Sequence, residues 1–404
     1  MKKIVVFIVL LCAAAYAVSD KSSPVPLPKS VFLDTAASKC DSACLTKLLE
    51  NGKFFSFMGR YSEEYATQNL EENYLNYAQV FNVFMHYDAE YDSENIKLAV
   101  LIPQKSIKSY ALTSVNAVLA YLFRQRSNFE LTVFNSGDES EEAIKAALNE
   151  MRKNAYVHVI APITQDGLDA LVENSYGLYV FIPTLHKSLY EYAPDNVVFG
   201  GIDYNAQIQA LNEFVKGDVV IFSGESKLEL SLNDMVKNQN GEVKEILYFS
   251  NANDNFKKSL EKNKALNNSS VYLNMRRSMS SLLASQLRVY KQSPHALLST
   301  QINYHPDILN FTQYEDRKNM YLANSIGKID PYIESVNAFL GNNMEYEWVN
   351  YAISIGVEHI NANFFNEEMD MIFDEQIGSD GQIEYGTRIF KAGQFGFLEA
   401  LHPI

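Results

Sequence analysis

Five apolar residues in a row, Leu98-Ala99-Val100-Leu101-Ile102, stop at Pro103. The run is too short for a helix and reads as a strand buried on both faces. A polar loop from Gln104 to Ser109 follows. Then Ala111, Leu112, Val115, Val118, Leu119 and Leu122 recur at the spacing of one helix face. Strand, loop and amphipathic helix make the opening half of a βαβ unit. In an open α/β sheet that first loop lies at the carboxyl edge, where ligands bind.

The same alternation continues. Strands are expected at 97–102, 130–134, 156–160, 178–182 and 197–200, with helices near 109–126, 139–153, 166–174 and 204–215. After Lys216-Gly217 the pattern restarts, with strands at 218–222, 243–248, 270–274, 294–299 and 319–323 and helices near 228–238, 253–265, 277–291 and 306–310. Two such sets predict an α/β protein with two doubly wound, parallel-sheet lobes, at 96–215 and 216–326. Residues 327–404 break the pattern: helices between 331 and 363, then Gly378-Ser379-Asp380-Gly381 and a strand-like end. Such a tail returns to the first lobe, crosses again and closes with an antiparallel pair. Hinge crossovers are expected near 202–217 and 325–335.

Ahead of the lobes, residues 34–95 read as a short helical segment rich in aromatic residues. Tyr61, Tyr65, Tyr74, Tyr77, Phe81, Phe84 and Tyr87 fall at spacings of three and four. This stripe reads as the buried face of a helical hairpin packed on the main body, with a docking surface as the alternative. Residues 18–33 hold Pro24, Pro26 and Pro28 and read as an extended linker. Residues 1–17 have the form of a secretion signal: Lys2 and Lys3, an apolar core, and Ala15-Tyr16-Ala17 at the cleavage position. Lipidation at Cys12 is disfavoured because Leu11, not a small residue, precedes it. No later stretch is long and apolar enough to span a bilayer, so the expected location is the periplasm. Cys40 and Cys44 are then an even pair in an oxidising compartment, which favours a disulfide at a helix start over two reduced thiols.

The formal charge of −15 argues against nucleic acid and anionic lipid as main partners, since phosphate binding needs a basic face. Catalytic signatures are missing: there is no GxSxG, no HExxH, no P-loop, and no GxGxxG after the first strand. No nucleophile, base and orienter assemble, so no enzyme, cofactor or metal is expected. Among the histidines, His158 falls in a buried strand, whereas His186 falls in a loop a ligand could reach. Tyr314 to Lys318 reads as a solvated turn in which Asp316 and Arg317 could pair.

The polar loops at strand ends are the candidate ligand cleft. In the first lobe they supply Ser106, Ser109, Tyr110, Thr164, Gln165, Asp166, Thr184 and His186, and in the second Ser223, Glu225, Thr300, Gln301 and Tyr304. Taken singly, each is better read as a helix cap than as a ligand contact. Topology predicts that the set lines one cleft, not that the cleft binds.

Three segments carry a family resemblance: Lys97–Pro103 with its polar loop, Val159–Gly167 (VIAPITQDG), and Gly378–Ile383 before an aromatic strand. From about Ile96 onward the chain resembles the type I periplasmic-binding fold. Within that fold it is similar to the carboxyl-terminal domain of the lipoprotein activators of penicillin-binding proteins. The resemblance implies a non-enzymatic envelope protein that works through a protein partner, for example in peptidoglycan synthesis. The alternative it implies is a receptor for a small polar solute such as an amino acid or peptide.

Overall fold

The first apolar run forms the strand its pattern demands: β1 (Ile96–Ile102) is buried along its whole length except at Lys97. The computed structural model describes residues 40–80, 96–125, 128–190, 192–249, 251 and 256–400. The expected leader, the linker, and Phe81, Phe84 and Tyr87 lie outside them. Chain contacts separate two units, Met1–Glu90 and Tyr91–Ile404.

In the larger unit, β1 pairs in parallel with β2 (Phe129–Asn135) and β3 (His158–Ile160), with Val100 facing Val133 and Ile160. β4 (Tyr179–Ile182) and β5 (Val197–Phe199) complete a five-stranded parallel sheet in the order β2-β1-β3-β4-β5. The second sheet has seven strands. β6 (Val219–Ser223), β7 (Glu245–Tyr248), β8 (Ser270–Asn274), β9 (Ala296–Ser299) and β10 (Met320–Asn324) run parallel. After a two-strand ladder of β11 (Gln376–Ile377) and β12 (Ile383–Glu384), the antiparallel pair β13 (Arg388–Ala392) and β14 (Phe397–Glu399) adds to the edge at β10. These are two doubly wound α/β lobes.

The chain crosses between lobes three times: after β5, after β10 and before β13. The third crossing is the second passage expected of the tail, and it lies beyond the two hinge segments located in the sequence. It exists because the tail re-enters the first lobe before supplying β13. Gly201 at the first crossing has no room for a side chain, since a Cβ there would stand 2.1 Å from the Leu185 carbonyl carbon. Tyr385 Oη donates to Gly200 O at 2.9 Å, and Arg388 donates to Ile326 O at 2.9 Å, so the three crossings are tied to one another.

The helix after β1 spans Tyr110–Arg124. It buries Ser114, Ala117, Val118, Tyr121 and Leu122, while Leu112 is 69% exposed. The buried face is therefore rotated away from Leu112 and Leu119, which lie at one edge of the expected face. Small residues at 114 and 117 let the long helix Trp348–Phe364 press against it, and Tyr121 reaches Glu358 of that helix. Trp348–Phe364 is buried all round from Asn350 to Asn361, as a helix covered on both sides should be. Its Glu358 carboxylate accepts from the backbone N–H groups of Ile372 (2.9 Å) and Phe373 (3.0 Å), which pins the chain leading to β11. Burial holds the Glu358 carboxyl above the ordinary carboxylate range.

The stretch Tyr314–Lys318 is not a solvated turn. Asp316 and Arg317 are both buried and do not serve as each other's sole partner. Asp316 accepts from Ser285 and Arg288, and the Arg317 guanidinium donates to the carbonyls of Thr312, Gly393 and Gln394. Arg317 thus holds the hairpin between β13 and β14.

Among the described residues, the smaller unit has three α-helices where a hairpin was expected: α1 (Ser42–Glu50), α2 (Phe54–Arg60) and α3 (Gln68–Val80). Leu45, Leu48, Phe57, Leu70 and Tyr74 form its core. Tyr61 stacks on Tyr74 with centroids 4.0 Å apart, and Tyr77 packs on Phe54 and Phe57. Of the four described residues of the stripe, Tyr61, Tyr74 and Tyr77 pack inside this unit and Tyr65 is exposed. A disulfide joins Cys40 to Cys44, and Asp41 caps α1.

Candidate functional site

At the carboxyl ends of the first-lobe strands lies a cleft of about 770 Å³. Its floor and one wall come from the first lobe: the loop after β1, the segment 162–166 after β3, the segment 184–189 after β4, and Ile202 and Asp203 at the first crossing. Trp348 and Val349, at the start of the long tail helix, complete that wall. The second lobe contributes Lys227, Leu228, Ser231 and Met235 from the helix Lys227–Asn240, and the helix Tyr204–Asn212, which packs on the second sheet, brings Tyr204 and Asn205 to the cleft.

Local chemistry explains how each side chain is held. The loop after β1 closes as one helical turn, Gln104–Ile107, and Lys105 N–H donates to Gly137 O at 2.8 Å. Lys108 follows with φ +52° and ψ −116°, a conformation costly for a residue with a Cβ. Thr164 donates through its hydroxyl to Glu139 and accepts from Asp166 N–H at 3.3 Å. The Thr184 hydroxyl donates to Ile163 O, and Trp348 Nε1 donates to Pro183 O at 3.3 Å. His186 Nδ1 accepts from Ser188 N–H at 3.1 Å, closing the turn Lys187–Leu189. Asp203 accepts from Ala206 N–H at 2.9 Å as a helix cap.

Charge in the cleft is sparse and mostly committed. Asp166 pairs with Lys227 of the opposite lobe. Burial pushes the His186 imidazole below its ordinary value, against the pull of Asp203 and Asp380, so it stands neutral near pH 7. Burial also raises the phenol of Tyr204, helped by Tyr110, and the phenol of Tyr110, helped by Glu347. His186, Ser188 and Asp203 share the cleft, but Nδ1 is the histidine nitrogen that meets Ser188, and Asp203 is engaged as a cap. That geometry does not give the aligned relay of a hydrolase. No group of three or more His, Cys, Asp or Glu among the described residues could hold a metal.

All eight first-lobe candidates line this cleft: Ser106, Ser109, Tyr110, Thr164, Gln165, Asp166, Thr184 and His186. The five second-lobe candidates do not. Ser223 is fully buried, donating to Gly224 O and accepting from Asn233. Gln301 is locked to Gln207 and Ser325, with Gln207 Nε2 donating to its Oε1 at 3.0 Å. Thr300 is buried beside it, and Glu225 is exposed on the turn before Lys227–Asn240. Tyr304 packs against Tyr346, Phe390 and Phe397. The physical reason is that the strand ends turn these residues inward: Ser223 bonds to Gly224 and Asn233, Gln301 to Gln207 and Ser325, and Tyr304 packs among aromatic rings.

Sequence reasoning missed the apolar half of the cleft: Ile107, Ile163, Leu185, Leu189, Leu228, Met235, Val349 and Trp348. Trp348 is the chain's one tryptophan. Its helical spacing was the available signal, but spacing shows a packed face and not which turn emerges at a cleft.

No family model matches the chain, and no curated protein sequence matches it. Solved structures do. An amino acid transporter substrate-binding protein from Pseudomonas fluorescens Pf-5 aligns at TM-score 0.58 and 13% identity, covering 77% of this chain and 97% of that one. The branched-chain amino acid transporter substrate-binding protein LivJ of Streptococcus pneumoniae, solved with isoleucine, gives 0.52 and 11%, covering 76% and 100%. The C-domain of LpoA from Haemophilus influenzae, described as a regulator of PBP1A, gives 0.51 and 11%, again covering 76% and 100%. At these identities the likeness is one of fold. The chain has the type I periplasmic-binding-protein-like fold, which these binding proteins and this regulator share. No helix among the described residues is long and apolar enough to cross a membrane.

Proposed function

We propose that this chain is an exported, non-enzymatic protein of the cell envelope that acts through contact with a protein partner, in the manner of the PBP1A regulator with the same fold. The observation that carries this reading is the one-sided cleft. A small polar solute leaving water needs its hydrogen bonds replaced on every side. Here the polar strand-end residues of the second lobe, Ser223, Thr300 and Gln301, are buried rather than offered to the cleft. What that lobe presents is Lys227, Leu228, Ser231 and Met235, with Tyr204 and Asn205 from the helix after the first crossing. Capture of partners from envelope extract with the mature chain tests the reading. Recovery of one specific protein supports it, and recovery of none, with and without residues 34–95, sinks it.

A second reading has its own observation. The 770 Å³ volume with Trp348 on its wall is of ligand size. A receptor built this way takes a ligand with an apolar body and few polar groups, such as a branched or aromatic amino acid or a short apolar peptide. Titration of such compounds, read by Trp348 fluorescence and thermal shift, separates the two. A saturable response to one compound class supports the receptor, because ligand binding raises stability by mass action.

A further inference from the structure

Carboxylates of the first lobe and cations of the second meet in two places. Asp166, in the turn after β3, pairs with Lys227, the first residue of its helix. Glu347, at the start of the Trp348–Phe364 helix that packs into the first lobe, stands 3.6 Å from Arg277 Nη1 and 3.7 Å from His305 Nε2. Arg277 is likewise the first residue of a second-lobe helix, Arg277–Val289, and Asp307 braces Arg277 and His305 from behind at 3.9 and 3.1 Å. Neither contact lies in the hinge, whose own polar groups, Gln207, Gln301 and Ser325, bond to one another.

We infer that these two cross-cleft ion pairs are straps that hold the lobes together. Opening the lobes separates both pairs, while the hinge bonds and the two sheet cores stay intact. The straps therefore set the balance between open and closed lobes and do little for folding. Their side chains are partly exposed, 75% for Lys227 and 33% for Arg277, so salt screens them. Exposed pairs are individually weak, and losing both shifts the balance toward open by about 2- to 30-fold. This holds whichever class of binder fills the cleft.

Spin labels on Glu142→Cys in the first lobe and Glu242→Cys in the second, both exposed positions, allow the lobe separation to be read by pulsed dipolar spectroscopy. The mature chain with its Cys40–Cys44 disulfide intact is the protein to use. At low salt the parent should give one short distance, and at about 0.5 M salt a longer population should grow. Lys227→Ala with Arg277→Ala should show that longer population already at low salt. Exchanging the charges of one strap, Asp166→Lys with Lys227→Asp, in the Arg277→Ala background should restore the short distance relative to Lys227→Ala in that background. A distance distribution in the double alanine variant equal to the parent's at both salts overturns the inference. So does a charge exchange that restores nothing. Small-angle scattering of the unlabelled variants gives an independent reading of the same shift, as a rise in radius of gyration.

Discussion

Gly356 is the position where the packing of the first lobe can be tested most sharply. It sits mid-helix in Trp348–Phe364, where alanine ordinarily stabilises a helix by about 1 kcal/mol. Here a Cβ would stand 2.2 Å from Phe181 Cδ1, 2.3 Å from Cε1 and 2.7 Å from Cγ. Carbon atoms at rest sit about 3.5–4.0 Å apart, so the ring or the helix must give by more than an ångström. The ring cannot: Phe181 is 1% exposed, and Gly200 closes its far side, where a Cβ would stand 2.4 Å from Cζ. Overpacking of this kind costs about 1–3 kcal/mol, and a face-on contact against a wedged ring belongs at the top of that range. Subtracting the helix gain leaves Gly356→Ala destabilised by about 2 kcal/mol, a fall in Tm of roughly 4 °C for a unit of this size. Differential scanning calorimetry of the single variant, of Phe181→Leu and of the double variant measures it. The double variant should be more stable than the sum of the single effects, because the smaller side chain at 181 vacates the space that the added methyl group needs, a positive coupling between touching residues. Gly356→Ala as stable as the parent, or strict additivity with Phe181→Leu, refutes the argument.

Arg317→Met should cost about 3 kcal/mol, since it leaves the carbonyls of Thr312, Gly393 and Gln394 without their charged donor; hydrogen exchange should then show the β13–β14 hairpin opening first, and unchanged protection there would contradict the assignment. Burial raises the Glu358 carboxyl, so the folded state keeps a proton through a pH window in which the unfolded chain has lost it. That contribution is full below the ordinary carboxylate value near about 4.3 and is lost as pH rises through the raised value; Glu358→Gln should flatten the decline in Tm with pH, and an identical slope rules the assignment out. Burial depresses His158 and His359, so their contribution has the opposite sign and is lost as pH falls below about 6.5. Lys108→Gly should raise stability by about 1 kcal/mol relative to Lys108→Ala, because only glycine is at ease at φ +52°, ψ −116°; equal denaturation midpoints for the two variants would show that the backbone there is unstrained.

The fold was readable because its central strands, such as β1, β6 and β8, are buried on both faces. Val219-Val220-Ile221-Phe222 and Leu98 to Ile102 admit no other short element, and strict alternation with amphipathic helices leaves one architecture. Side-chain direction was less readable. The face of the first-lobe helix was misjudged because Ser114 and Ala117, which mark its closest approach to Trp348–Phe364, carry no hydrophobic signal of their own. Asp316 and Arg317 look solvated in sequence because their partners, Arg288, Ser285 and the carbonyls at 393 and 394, are distant along the chain. The same limit divides the candidate site. A serine or threonine after a strand reads alike whether it opens to a cleft, as Ser106 and Thr184 do, or turns inward, as Ser223 and Thr300 do.

That division has a mechanical consequence. Ser223, Asn233 and Asn274 bond in series, Asn233 Nδ2 to Ser223 at 2.7 Å and Asn274 Nδ2 to Asn233 at 2.9 Å, which ties the helix Lys227–Asn240 to β6 and β8. Asn303 donates to the carbonyls of Leu273 and Met275 and to Ser299, binding the end of β9 to β8. The second lobe is therefore cross-linked just behind its cleft face and must move as a block, carrying Lys227, Leu228, Ser231 and Met235 together. On the other side, Trp348 is anchored to the first lobe through Pro183 O. In the lobe opening proposed above, one fixed helix face would slide over one fixed wall, and the two sides would have separable roles. Changes at Thr184 or Trp348 would then alter the wall, whereas changes at Lys227 would alter how far the helix face closes over it. A cleft that needed polar loops from both lobes to meet around a solute could not be divided in this way.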